Sequence, residues 1–314
     1  MSRVHVIHEN DAWVEPLRRA FAEQGVPYAE WFVDGGTLDL ASPPPPGVFY
    51  NRMSASSHTR GHRFAAEFTA PLLAWLRAHG RRIVNGPRAL QLELSKLEQY
   101  LALRAAGVPV PRTLAASGDR QVLEAARSLG RQPFIFKPNR GGKGLGVRLF
   151  ESVAELENYL SGQPERSLDG IELLQEYIRP ADGVISRMEF IGGEFFYRVE
   201  VDSSGGFELC PADGCEAGDA FCPAPGEQPR NKFRLAETAP DAALVGKLER
   251  FFAANDAEIA AAEYVEDAAG RRFVYDVNMN TNYNQQAERE AGNTRRGMHR
   301  VAEFLGAELR RAAA

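Results

Sequence analysis

Apolar residues along the chain recur with two periods, and the switches between those periods mark out its elements. Val4 to Ile7 is a short β-rich run. Trp13, Leu17 and Phe21 then recur every fourth residue, which predicts a helix stopped by Gly25. Val48 to Tyr50 reads as a second strand after the surface connection Pro43 to Pro46. Phe64, Phe68, Leu72 and Leu76 predict the next helix, and Ile83-Val84 the next strand. Residues 1 to about 90 therefore read as a small βαβ unit. A helix carrying Leu94, Leu97 and Leu101 follows and ends at Gly107. Ser152 and Glu155 have capping-box spacing ahead of Leu156 and Leu160, and Ile171 to Ile178 reads as a strand. Leu244, Leu248 and Phe251-Phe252 mark a later helix, and Met298, Val301, Leu305 and Leu309 a closing one.

The stretch from Phe134 to Val147 breaks this regularity. A short apolar strand ends in Lys137, Pro138 interrupts it, and Gly141, Gly142, Gly144 and Gly146 follow. A second strand, Val147 to Phe150, leaves the loop. Glycines let backbone N–H groups turn toward an anion, and Lys137, Arg140 and Lys143 add positive charge. The loop is neither a Walker loop, since Gly144 follows Lys143, nor a Rossmann turn, since a strand follows it. A Gly-rich flap over phosphates fits, and so does a plain hairpin with solvated lysines.

Two further patterns carry chemistry. Val184–Ile191 and Glu194–Val201 alternate around Gly192-Gly193, a two-residue hairpin signal. Pairing across that turn sets Arg187 opposite Arg198, an arrangement that an anion or the nearby glutamates must offset. Near the end, a turn at Asp267–Gly270 would pair Glu263 with Val274 and put Glu263, Asp276 and Asn278 on one face. Three converging oxygen donors suit Mg²⁺. The run Ala260–Ala262 pulls the other way, toward helix.

Composition narrows the class. The 314 residues exceed one ordinary core, so two or three domains are expected. The net charge of −5 argues against a nucleic-acid partner. No apolar run approaches membrane-span length. Three cysteines, Cys210, Cys215 and Cys222, are an odd set without zinc-ribbon spacing, and no signal segment opens the chain. Free thiols in a cytoplasmic protein are expected, with no function assigned to them.

In chain order, Ser95-Lys96, Gly107-Val-Pro-Val-Pro111, Phe136-Lys137-Pro138 with its flap, Gln175–Ile178 and Asp276-Val-Asn278 resemble an ATP-grasp enzyme. The resemblance is to the carboxylate–amine ligases of that superfamily, including glutamate-adding ligases. It implies an α/β fold, α+β in part. A Rossmann-like N-terminal domain (1–94) would precede a central subdomain with the flap (95–178) and a C-terminal subdomain with the Mg²⁺ site (179–314). It also assigns roles. Lys96 and Lys137 would hold ATP phosphates. Gln175, Glu176, Tyr177 and Ile178 would take adenine, and Asp182 ribose. Glu263, Asp276 and Asn278 would hold Mg²⁺. Arg187 would face the transferred phosphate, and the hairpin register, not the resemblance, adds Arg198 beside it. Arg52 and Ser54 resemble the loop that faces the acceptor. Arg60, Lys232 and Asn280 are the remaining substrate-side candidates. After Asn278 the chain departs from the family, with Met279-Asn-Thr-Asn-Tyr-Asn284. The expected reaction is amide formation through an acyl phosphate. A kinase of the same fold and a non-catalytic nucleotide-binding subunit are the alternatives. A small molecule or peptide is the expected substrate, with no membrane partner and homo-oligomerisation left open.

Overall fold

The computed structural model describes residues 2–142, 144–202, 232–292 and 296–313. Lys143, Cys210, Cys215 and Cys222 lie outside the described residues.

The N-terminal residues form β1 (Arg3–His8), α1 (Asp11–Gln24), β2 (Tyr28–Phe32), β3 (Gly47–Asn51), α2 (Ala65–Ala78) and β4 (Arg82–Val84). Their strands pair in parallel in the order β2-β1-β3-β4. Asn10 caps α1, and Gly25 ends it in a left-handed conformation with φ 63°. Phe64 stands just outside α2 as its N-cap and is 66% exposed, so it is not one of that helix's core positions.

A bend comes next. α3 (Pro87–Leu94) and α4 (Lys96–Ala105) replace the single helix expected there. Ser95 is extended (φ −140°, ψ 106°), and its hydroxyl accepts the N–H of Glu98, capping α4. Lys96 is thereby the first residue of a new helix.

The second sheet is antiparallel, in the order β5-β8-β6-β7. It comprises β5 (Thr113–Ala116), β6 (Phe134–Pro138), β7 (Arg148–Phe150) and β8 (Glu172–Glu176), with α5 (Asp119–Leu129) and α6 (Val153–Ser161). Phe134 and Phe136 point into a core with Val122, Leu129, Leu156 and Leu160 from those helices. The alternation of β6 sends Ile135 and Lys137 to the other face.

The third sheet, β11-β10-β9-β12-β13, is also antiparallel. It contains β9 (Val184–Ile191), β10 (Glu194–Asp202), β11 (Phe233–Leu235), β12 (Ile259–Glu266) and β13 (Arg272–Asn278), with α7 (Ala242–Ala254). The Ala-rich run is strand, because β12 lies between β9 and β13 and Ala260 and Ala262 pack close to α7. Tertiary pairing overrides local helix propensity there. α8 (Gln285–Glu290) and α9 (Gly297–Ala313) finish the fold, and α9 returns to the first sheet. Its Val301, Leu305 and Leu309 share one core with Val4, Leu17, Phe21 and Val48.

Two bulges change the registers read from sequence. Gly192 and Gly193 both have positive φ and set Ile191 against Glu194, as the hairpin signal requires. A bulge between Phe195 and Tyr197 then shifts the pairing by one residue. Arg187 consequently faces Val199, and Arg198 faces Met188, so the two arginines lie on opposite sheet faces. In the last hairpin a bulge at Glu263/Tyr264 pairs Glu263 with Asp276, not with Val274. Val274 is buried in the core on the other side.

Candidate active site

The inner faces of the second and third sheets enclose a cavity of about 380 Å³, closed at one end by loops of the first sheet. One end is apolar, with Ile135, Val147, Leu149, Ile185 and Val265 beside the segment Gln175–Ile178. The other end is crowded with charge.

Lys137 stands at the boundary and is 4% exposed. Its Nζ donates to the carbonyl of Tyr275 (3.3 Å) and lies over the rings of Tyr100 and Tyr275. Among the described residues it forms no ion pair. Burial, helped by the charge of Lys96, pushes it down to about 7 against the pull of Asp276 and Glu263. Lys96 reaches across from the first turn of α4 and donates to Asp276 Oδ1 at 2.5 Å. Burial opposes its charge, but Asp276 outweighs that and holds it above the ordinary lysine value.

On the opposite wall Asp276, Glu263 and Asn278 converge, as the sequence led one to expect. Asn278 Nδ2 donates to Glu263 Oε1 at 3.3 Å. Arg187, 4% exposed, is fully used. Its Nε donates to Glu189 (2.6 Å), Nη1 to Glu263 (2.5 Å) and Nη2 to the Thr281 hydroxyl (2.6 Å), which itself donates to Glu189 (2.8 Å). Burial opposes the arginine charge, and the two carboxylates more than offset it. Burial in turn pushes Glu189 and Glu263 above the usual carboxylate range, against Arg187. Arg198 is elsewhere, bonded to Ser186, Tyr264 and Thr238 on the far face, so it is not a partner of Arg187.

The first sheet supplies the remaining wall. Ser54 and Ser56 line the cavity and share a hydrogen bond of 2.9 Å. Arg52 lies buried behind them, its Nη2 donating to Asn282 Oδ1 at 2.8 Å. Asn280 and Asn282 line the cavity. Gly141, Gly142 and Gly144 cover it, and Gly144 and Gly146 both have φ 75°, where other residues are strained. At the root of this flap Arg140 pairs with Glu67 of α2 (2.6 Å).

Several expected site residues stand apart. Arg60 is committed to Glu9 by two hydrogen bonds (2.5 and 3.0 Å) and stacks on Trp13. Asp182 is exposed and caps the turn at Val184. Lys232 is exposed and outside the lining. The Glu176 N–H is already given to the carbonyl of Arg112 (2.9 Å).

Other groups emerge only in three dimensions. Glu93, Thr281, Tyr275 and Trp13 contribute to this end of the molecule, while Glu189 bonds Arg187 as one of the glutamates expected to offset it. Glu93 sits in the last turn of α3 and lines the cavity. Burial pushes it up to about 7. Its flanks Leu92 and Leu94 were the only hint in the sequence.

No family model matches the chain. A probable alpha-L-glutamate ligase of Teredinibacter turnerae is 29% identical over 114 residues, 36% of this chain. The chain thus matches just over a third of that relative's length, 37%. An ATP-grasp RimK domain protein of Sphaerobacter thermophilus has a TM-score of 0.65 at 20% identity, covering 96% of this chain and 99% of that one. The ATP-grasp ligase PsnB, solved with a phosphomimetic variant of its minimal precursor, Mg and ADP, has a TM-score of 0.66 at 16% identity, over 98% and 99% of the two chains.

Proposed function

The chain has the ATP-grasp fold, and we propose that it is an ATP-dependent, ADP-forming carboxylate–amine ligase. It makes an amide or peptide bond on an amino acid, peptide or small acid through an acyl phosphate. The observation that carries this reading is the pattern of charge around the cavity. Lys137 is a buried lysine without an ion pair among the described residues, at the mouth of an apolar slot and opposite three oxygen donors. A nucleotide with its base in the slot would bring phosphate to that lysine.

In this reading three bodies, residues 1–94, 95–178 and 179–314, close on the cavity. The hinge from Gln175 to Ile178 takes the base, with the backbone beyond the occupied Glu176 N–H facing its edge. Lys96 and Lys137 hold phosphate oxygens, and the flap Gly141–Gly146 excludes water from an intermediate that hydrolyses readily. Arg187 orients Glu263 and favours its charged form against burial. Ser54 and Asn280 form the substrate side, and Arg52, expected there, is buried behind them and braces Asn282.

The donor set fits Mg²⁺. Glu263 and Asp276 are register partners on the cavity wall, and the charge of Asp276 raises the cost of ionising Glu263. Hard oxygen donors so placed are those a magnesium ion prefers, with Asn278 turning its amide oxygen inward. When bound, the ion would spread the charge of the transferred phosphoryl group.

The carboxylate oxygen attacks the terminal phosphorus, and the bond to ADP breaks. The amine nitrogen then attacks the acyl carbon, and inorganic phosphate leaves. The ammonium gives up two protons, one before attack and one as phosphate departs. ADP release measured across the amino acids and small acids, with hydroxylamine as acceptor and mass detection, tests the reading. A hydroxamate with ADP and phosphate supports it. A stable phosphorylated product would make the protein a kinase, and nucleotide binding without turnover a binding subunit.

A further inference from the structure

Two carboxylates line the cavity without an ion pair among the described residues, Glu176 and Glu93. Glu176 belongs to the hinge, where its Oε1 accepts the N–H of Arg112 at 2.8 Å. Glu93 stands at the charged end, where every neighbouring acid is already matched. Asp276 has Lys96, and Glu189 and Glu263 have Arg187. Among the described residues Glu93 accepts only from the backbone, Ala55 N–H on Oε1 (3.2 Å) and Met279 N–H on Oε2 (2.8 Å), and the charge of Lys96, held by Asp276, acts on it without a direct bond.

Those two bonds hold the carboxylate between the loop carrying Ser54 and Ser56 and the end of β13. Each oxygen keeps a further lone-pair direction. A half-buried carboxylate with no ion pair of its own is poorly solvated, and an ammonium group with three donors relieves that cost. Lys137 lines the same cavity and likewise forms no ion pair among the described residues, so a basic and an acidic group without ion pairs share one reaction space.

We propose that Glu93 is the subsite for the amine substrate, which it receives as an ammonium ion and holds beside the acyl phosphate. The proposal rests on the ligase reading and names its second substrate as a primary amine that arrives charged. Glu93 touches that substrate directly, and Ala55 and Met279 position it.

The test uses the full-length protein and n-butylammonium chloride as the probe, with n-butanol and sodium chloride as controls. Thermal-shift titration of wild type should show stabilisation by the ammonium beyond both controls. Glu93→Gln should weaken that affinity about tenfold or more, the loss of one charge-assisted contact, while Glu93→Asp retains most of it. Equal affinity in wild type and Glu93→Gln, equal loss in both variants, or no selective shift in wild type would overturn the proposal. Turnover gives an independent readout. Hydroxylamine is uncharged near neutral pH, so the ratio of amide to hydroxamate formation should fall about tenfold or more in Glu93→Gln relative to wild type. A residue that only braces the two loops would lower both reactions together, and that result would also overturn the proposal. If wild type binds the ammonium selectively but makes no hydroxamate or amide, the ligase reading falls and the cation subsite stands.

Discussion

Lys137 and Glu93 both titrate near neutrality when folded, and they do so in opposite senses. Lys137 falls from an ordinary 10.5 to about 7, so between those values the unfolded chain binds more protons. Its contribution to stability is present above about pH 10.5 and lost as pH falls through about 7. Glu93 rises from 4.5 to about 7, so its contribution is present below about pH 4.5 and lost as pH rises through about 7. Thermal unfolding across pH 5 to 9 should therefore give these two groups a shared minimum near pH 7. Lys137→Met should remove the alkaline limb and Glu93→Gln the acid limb. A variant that keeps its limb would show that another group titrates there. Nucleotide binding should recharge Lys137, so calorimetry at pH 8 in two buffers should register proton uptake that Lys137→Met lacks. Asp276→Asn should cut Mg²⁺-dependent turnover at least about 100-fold, the upper end for groups merely adjacent to a metal. A variant with normal metal dependence would remove Asp276 from the set. At this scale the lysines, glycines and oxygen donors that line the cavity were legible in the sequence, because their residue types are tied to their chemistry, and so was Glu189 beside Arg187. Glu93 and Thr281 were not, since their significance lies in what surrounds them.

Single-residue bulges decide the chemistry of the third sheet. They leave the alternation on either side intact, so a pattern of apolar and polar residues does not reveal them. The one beside Phe196 turned an expected arginine pair into two unrelated residues. Arg187 neutralises two buried carboxylates, so Arg187→Met should cost about 3–5 kcal/mol of stability as well as activity. Arg198→Met should keep kcat close to wild type, since its side chain lies on the far face. Urea unfolding and steady-state rates on both variants check this contrast, and a large loss of kcat in Arg198→Met would contradict it. The break at Ser95 was more legible, since Ser95 and Glu98 have capping-box spacing that the leucine period overrode. Ser95→Ala should cost about 1 kcal/mol and blur the placement of Lys96, measurable as a lower Tm and weaker nucleotide affinity. β5 was not read at all. Its four residues, two of them alanine, become strand only by pairing with β8.

For the whole molecule, ordered motifs from Lys96 to Asn278 carried the fold, and the solved structures bear it out over nearly the full chain. What the order of motifs did not reveal is how the ends of the fold are joined. α9 belongs by sequence to the C-terminal part, but it buries its apolar side against α1 and β3. Its Glu308 also pairs with Arg82 of β4 at 2.6 Å. During synthesis the first sheet therefore emerges with one face covered by α1 alone, and the rest of its cover follows about 200 residues later. At about 5–20 residues per second that is a wait of roughly 10–40 s. A fragment of residues 1–94 should accordingly fail to give cooperative unfolding by circular dichroism, and adding a peptide of residues 296–313 should restore it. The N-terminal unit, first to be made, would be the last to be finished, and through that interval the nascent chain depends on whatever shields Val4, Leu17 and Val48 from other chains.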